Sequence, residues 1–327
     1  MTTPLHRPGN RSVWVLPDST WQDMLGSMRR QQVDHQRQEQ LSLADPSADP
    51  ADPTQWWVSE EIDKEAIEVG FLMLETIAPT GPLNRNRTAL AALAALTAIN
   101  DSYAACENYE DIFGKHLFGR PIGRWMEAAG EGATGQERTL MEQALRVQYE
   151  TLAVQRTLHD AAEQVRRNRE DYREYLRWRD AEGCFYGVML FSALAAGIDL
   201  NTIPPARARQ TLEAGIVAFD VHSMNRHRSE DETGDIFRYL LGDHHTKVDT
   251  ALELIRDLHI DLIHAPDLGD RQKEFLLRYM TGGTLLAYMP KRWSRTTALH
   301  LAPIDAGSTG WTHITGRPTY TVGFSQT

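Results

Sequence analysis

Residues 181–200 read AEGCFYGVMLFSALAAGIDL, and residues 171–180, DYREYLRWRD, lead into them. A helix drawn through both puts Tyr175, Arg179 and Gly183 at i, i+4 and i+8 on one face. A fixed cation and a missing side chain then stand together, directly before a nearly all-apolar run, Cys184 to Ile198. Such a face suits an anion held beside an apolar cavity. A glycine there lets the helix open and turn its carbonyls toward a guest, at roughly 1 kcal/mol of helix propensity. The same residues suit a surface cation and a packing glycine equally well.

Composition narrows the function classes. With 327 residues and 41% hydrophobic content the chain can bury a full core, as one large domain or two. Its net charge of -11 argues against nonspecific binding to nucleic acid or to anionic lipid, both of which need a basic face. An acidic enzyme of small molecules fits better. Cys106 and Cys184 have no CxxC spacing and make no disulfide framework, which points to a reducing cytoplasm. The run Cys184 to Ile198 falls short of the ~20 residues that span a bilayer, and MTTPLHRPGNRS at the start has no apolar core of a signal peptide. A cytoplasmic protein without a membrane span is expected. His244-His245 has no partner at zinc spacing and reads as an exposed loop.

Outward from the opening stretch, helical periodicity dominates. Residues 1–55 are polar and proline-punctuated, with the acidic piece LADPSADPAD at 43–52, and read as a mobile arm whose Trp14, Val15 and Leu16 could dock on the body. Ser59 caps a helix to Ile77 with Ile62, Ala66, Val69 and Met73 on its apolar face, and Pro79 to Pro82 end it. Thr88 to Ala105 is an alanine and leucine helix whose inward stripe, Leu90, Leu93 and Thr97, runs on into Asn100 and Asp101. Further helices are expected over Leu140 to Arg169, Tyr172 to Ala196, Ala206 to Asp231, Asp235 to Leu241, Val248 to Ile263 and Arg271 to Ala298. Only Thr319 to Phe324 alternates as a strand would, so the class is all-α, with 56–302 as the helical domain and 303–327 as a tail, a candidate lid.

An all-α chain with an Asn-Asp pair closing an alanine-rich helix, a Tyr-x-x-x-Arg-x-x-x-Gly segment and a later Asn-x-x-x-Ser helix resembles the bacterial class I terpene synthases over about Trp56 to His300. The resemblance implies a bundle around a central apolar cavity and a cytoplasmic enzyme, expected as a homodimer. In that family an aspartate-rich motif and an Asn, Ser, Glu triad spaced four by four hold three magnesium ions around a substrate diphosphate. An arginine senses the diphosphate, and a following acidic residue and glycine sit at a helix break that helps trigger ionisation. By that likeness Arg179 is the sensor, Glu182 the linker and Gly183 the effector. The family places its triad 46 positions after the sensor, at Asn225 here; Ser229 follows in step, and Thr233 breaks the pattern with Glu232 beside it. A register counted back from Gly234-Asp235 gives His222, Arg226 and Glu230 instead, a poorer metal site.

The first motif departs most. Asn100-Asp101-Ser102-Tyr103-Ala104 leaves one carboxylate where two or three are expected, and Glu107, Glu110 and Asp111 lie a turn or more beyond. The Arg-Tyr pair expected near the C-terminus is replaced by Leu299-His300, leaving Arg226, Lys291 and Arg292 as further diphosphate donors. The resemblance therefore implies a cyclase for a C15 or C20 isoprenyl diphosphate. Its Mg2+ ligands would be Asn100, Asp101, Asn225, Ser229 and Glu232, a set suited to fewer than three ions. Phe71, Phe185, Tyr186, Phe191, Phe219 and Trp293 are candidates for the pocket wall or for ordinary core. Two other readings stay open: a repurposed enzyme that acts on a polyene or prenylated intermediate without metal, for instance by protonation from Asp101, and a helical binding protein for an apolar ligand.

Overall fold

The computed structural model describes residues 12–15, 70, 74, 77–78, 85–98, 106–117, 120–157, 172–229, 235–286, 299–305 and 319–324. The chain divides into two compact units, one of residues 27–200 and one of 1–26 with 201–327.

In the 27–200 unit the central element is α1, Arg85–Ala98. Every residue from Ala89 to Thr97 is buried, as expected of a helix that is apolar all round and therefore interior. Small side chains let its neighbours come close. A β-carbon on Gly70 would stand 2.3 Å from the Ala91 carbonyl oxygen and 2.6 Å from Ala95 Cβ, so only glycine allows that helix crossing. Gly70, Leu74 and Ile77 are helical, which agrees with the expected 59–77 helix, while the face residues Ile62, Ala66, Val69 and Met73 lie outside the described residues.

A short hairpin, β2 His116–Leu117 with β3 Arg120–Pro121, precedes α2, Ile122–Ala129, which packs on α1. The Trp125 Nε1–H donates to the Leu117 carbonyl at 2.8 Å and locks hairpin to helix. Helix α2 escapes the periodicity reading because Pro121, Gly123 and Gly130 punctuate it. Next comes α3, Gly135–Thr157. It starts five residues before the expected Leu140, because Thr134 and Glu137 form a reciprocal cap: Thr134 N–H donates to Glu137 Oε2 at 2.7 Å, and Glu137 N–H to Thr134 Oγ1 at 3.2 Å. The unit closes with α4, Tyr172–Gly183, and α5, Phe185–Ala196, both packed on α3, and α5 also on α1.

In the other unit α6, Pro205–Ser229, packs on α7, His244–Ile263, and on α8, Asp270–Leu286. Proline at its first position needs no amide partner. Arg207 near its start meets Asp261 and Asp267, each at 3.0 Å. Where a helix over Asp235 to Leu241 was expected, only a 3-10 turn, Ile236–Arg238, forms. Asp235 caps that turn by accepting from Phe237 N–H at 3.0 Å, and Gly242 at φ 104 ends the segment. His244 and His245 do not form a loop: they open α7, capped by Asp243 Oδ1, which accepts from Thr246 N–H at 2.8 Å.

Three strands adjoin these helices. β4, Leu299–Asp305, pairs antiparallel with β5, Thr319–Phe324, which pairs antiparallel with β1, Ser12–Val15; β1 runs beside α7. Alternation marked β5, whereas Pro303 hides β4 and four residues are too few to announce β1. The helical body is all-α and the sheet is an addition to it. No helix among the described residues is long and apolar enough to cross a membrane.

Candidate functional site

The stretch of 172–196 is helical on both sides of a break, and the break falls at Cys184 rather than on the glycine before it. Cys184 takes φ 51, ψ 37, the left-handed region, the one non-glycine among the described residues to do so. Such a conformation costs of order 1–3 kcal/mol outside glycine and persists only where its surroundings fix it. Here they do. The thiol donates to the Ala144 carbonyl of α3 at 3.7 Å and also accepts from the Gly187 amide. Burial pushes that thiol well above its ordinary pKa, so it stays neutral. Gly187 is glycine because a β-carbon there would lie 2.4 Å from the Cys184 sulfur and 3.2 Å from Ala144 Cβ. A β-carbon on Gly183 would meet the Phe185 ring at 2.4 Å.

A helix running on through Gly183 would give its carbonyl the Gly187 amide, or in a tightened turn that of Tyr186. Both are engaged elsewhere: Tyr186 N–H donates to Asp180 Oδ1 at 2.7 Å, and Gly187 N–H meets the Cys184 sulfur. The Gly183 carbonyl is thus released from the ladder at the half-exposed lip of the break. Asp180 serves as the cap of α5 from the last turn of α4. Desolvation raises its carboxyl pKa from 3.8 to about 6, partly countered by the Tyr186 amide it accepts.

Arg179 lies one turn before Gly183 and is buried, 4% exposed, ion-paired with Glu182. Its guanidinium also stands 5.9 Å from the Trp178 ring centre, and Tyr175, one turn earlier, is fully buried. The structure brings Arg179, Glu182 and Gly183 together, with the acidic partner already on the cation. Of the aromatic candidates, Phe191 is core, whereas Phe185, Tyr186 and Phe219 are half-buried; Phe71 and Trp293 lie outside the described residues.

The other candidates are placed only in part. Asn225, Arg226 and Ser229 sit in the last two turns of α6, with Asn225 and Ser229 in the row that runs through Thr211, Ala214, Ala218 and Val221, all buried; their own side chains lie outside the described residues. His222 is on the same helix under the same limit. Asn100, Asp101, Glu230, Glu232, Lys291 and Arg292 lie outside the described residues altogether. Among the described residues no group of three or more His, Cys, Asp and Glu side chains could hold a metal ion. The carboxylates after the first motif have structural partners. Glu110 pairs with Arg146 at 2.9 Å, and Asp111 Oδ2 accepts from the Asn108 amide groups at 3.1 and 3.0 Å.

Two residues of this site escape a motif reading. Asp180 is a carboxylate next to an apolar run, and Gln148 is a glutamine in the row Met141, Leu145, Gln148, Leu152, all buried. A polar residue standing in an apolar row is the signal that would have found both.

No protein-family model matches the chain, and no curated protein matches it. Among solved structures, a mutant of the SVS_A2 protein from ancestral sequence reconstruction is similar over 88% of this chain and 89% of its own, with a TM-score of 0.47 and 13% identity. Germacradien-4-ol synthase from Streptomyces citricolor is similar over 88% and 96%, with a TM-score of 0.38 and 14% identity. Likenesses at this level assign no family to the chain.

Proposed function

We propose that the chain is a class I terpenoid cyclase that ionises a C15 or C20 isoprenyl diphosphate and closes the resulting carbocation. The observation that supports this reading is the break itself: a buried arginine, its acidic partner and a released glycine carbonyl within five residues of one another. Such a set can serve both charges of an ionisation. Arg179 offers donors to a departing diphosphate from a site of low dielectric, where charge interactions are strongest. The Gly183 carbonyl presents the negative end of its dipole to the cation that forms. Drawing Arg179 toward an anion loosens its hold on Glu182, and so couples arrival of the diphosphate to the break.

Asn100, Asp101, Asn225, Ser229 and Glu232 are oxygen donors throughout, the hard ligand type that magnesium takes, and Asn225 and Ser229 stand one turn apart in one row of α6. The donor set fits Mg2+, and with one carboxylate in each cluster it suits fewer ions than three. When bound, Mg2+ would offset charge on the leaving diphosphate. Arg226, Lys291 and Arg292 are further donors to the same group.

The pairing of Arg179 with Glu182 favours one other reading, in which the neutralised pair serves a polyene or prenylated intermediate that carries no diphosphate. Incubation with C10, C15 and C20 diphosphates, with and without Mg2+, separates the two by pyrophosphate release and gas chromatography. Turnover should require Mg2+, stop with EDTA, and fall by at least about 100-fold in Asp101→Ala. Products that persist under chelation, from a substrate lacking diphosphate, would overturn the cyclase reading.

A further inference from the structure

Gln148 is fully buried on α3, and its side chain serves two helices at once. Nε2 donates to the Thr97 carbonyl at 3.1 Å and to the Glu182 carbonyl at 3.0 Å. The Glu182 carbonyl lies in the last turn of α4, where carbonyls lack intrahelical partners, and the Thr97 carbonyl belongs to α1. Thr97 is three residues before Asn100, and Glu182 directly precedes Gly183. One turn earlier on the same face of α3, the Ala144 carbonyl accepts from the Cys184 thiol. Ala144 and Gln148 thus clasp the break from α3, one on each side of Gly183.

The clasp explains why a glutamine occupies a core row. Its Oε1 is buried without a hydrogen-bond partner among the described residues, an arrangement that methionine or leucine would avoid, so the residue is not there as filler. Only a primary amide offers two hydrogens from one uncharged nitrogen. The opposite rotamer would set Oε1 against two carbonyl oxygens, which fixes the orientation.

We propose that Gln148 is a positioning residue: by holding the Glu182 carbonyl together with the Thr97 carbonyl of α1, it leaves Gly183 as the carbonyl that the break presents. It also ties the segment that leads to Asn100 and Asp101 to the segment that carries Arg179. This inference rests on the cyclase reading for its catalytic consequence, but the clasp has a readout of its own.

The test uses the full chain with Gln148→Met and Gln148→Glu. In Gln148→Met, kcat for pyrophosphate release should fall roughly 10- to 100-fold, with KM for the diphosphate held within about twofold, because the change misplaces a group that acts in the transition state. Alkylation of Cys184 by iodoacetamide, followed by peptide mass spectrometry to separate it from Cys106, should quicken as the break loosens. In Gln148→Glu, only the protonated acid can donate to a carbonyl. Its kcat should therefore rise as pH falls, relative to wild type, which shares Asp180, Glu182 and Cys184. Wild-type kcat together with wild-type alkylation in Gln148→Met would overturn the proposal. If that variant does not fold, a Gln148→Glu profile parallel to wild type would overturn it. Absence of pyrophosphate release from the wild type would refute the cyclase reading alone, and Cys184 alkylation would still decide the clasp.

Discussion

Candidate functional residues gather on α4 and on α6, and a buried or half-buried aspartate of each helix accepts a hydrogen bond from a backbone amide beyond it. Asp180 Oδ1 accepts from Tyr186 N–H at 2.7 Å, six residues on. Asp220 Oδ2 accepts from Ile236 N–H at 2.9 Å, sixteen residues on. The bonds are alike and the consequences differ. At the first, the next helix restarts after a single left-handed residue, so the amides taken by Asp180 and Cys184 are those that Gly183 would have used. At the second, the carboxylate anchors the first residue of a 3-10 turn. A local cap releases a carbonyl, whereas a long-range cap ties distant backbone together.

The sharpest way to break that contrast is Arg179→Ala. Loss of the cation should reduce pyrophosphate release by about 100- to 1000-fold, the scale of one preorganised charge-stabilising donor, while far-UV circular dichroism stays helical. Near-wild-type turnover would move the function away from the first break. Asp220→Ala should do the reverse. It strands a buried amide, lowering unfolding free energy by about 1–3 kcal/mol in a urea titration, with turnover per folded molecule retained.

The smallest effect separates the two caps by pH. Burial holds the Asp180 pKa at about 6 in the folded chain against 3.8 as its ordinary value, so the folded state keeps this proton through a window in which the unfolded state has lost it. Stability from this group therefore falls as pH rises from about 4 to about 6 and is level above. Asp180→Asn keeps an acceptor for Tyr186 without a charge to bury. It should be more stable than wild type at pH 7 by about 1–2 kcal/mol and lose that slope in denaturant midpoints. An unchanged slope would show that Asp180 is not desolvated at the break.

The sequence anticipated what repeats along it. Periodicity marked α3, α4, α6, α7 and α8, because one buried face recurs every three to four residues in each, and a run of alanine and leucine marked α1. It underestimated α3 at its start although Thr134 and Glu137 spell a capping box, and it missed α2, where glycine and proline interrupt an eight-residue helix. The spacing of Tyr175, Arg179 and Gly183 likewise pointed to a cation and an opening on one face, and the structure pairs that cation with Glu182. The metal candidates could be matched by residue type alone, since Asn100, Asp101 and Glu232 fall outside the described residues.

What the residues determined by themselves was a mainly helical chain with an arginine one turn before a glycine at the head of an apolar run. Local chemistry suffices for that: helix propensity, side-chain period and the freedom of glycine all act within a few residues. Tertiary structure decided that the left-handed residue is Cys184, that Gly187 must make room for its sulfur, and that one glutamine on α3 holds the Thr97 and Glu182 carbonyls. Those outcomes depend on which atoms of α1, α3, α4 and α5 meet across 34 to 51 residues of chain, and hydrogen bonds between such distant groups leave no period in the sequence.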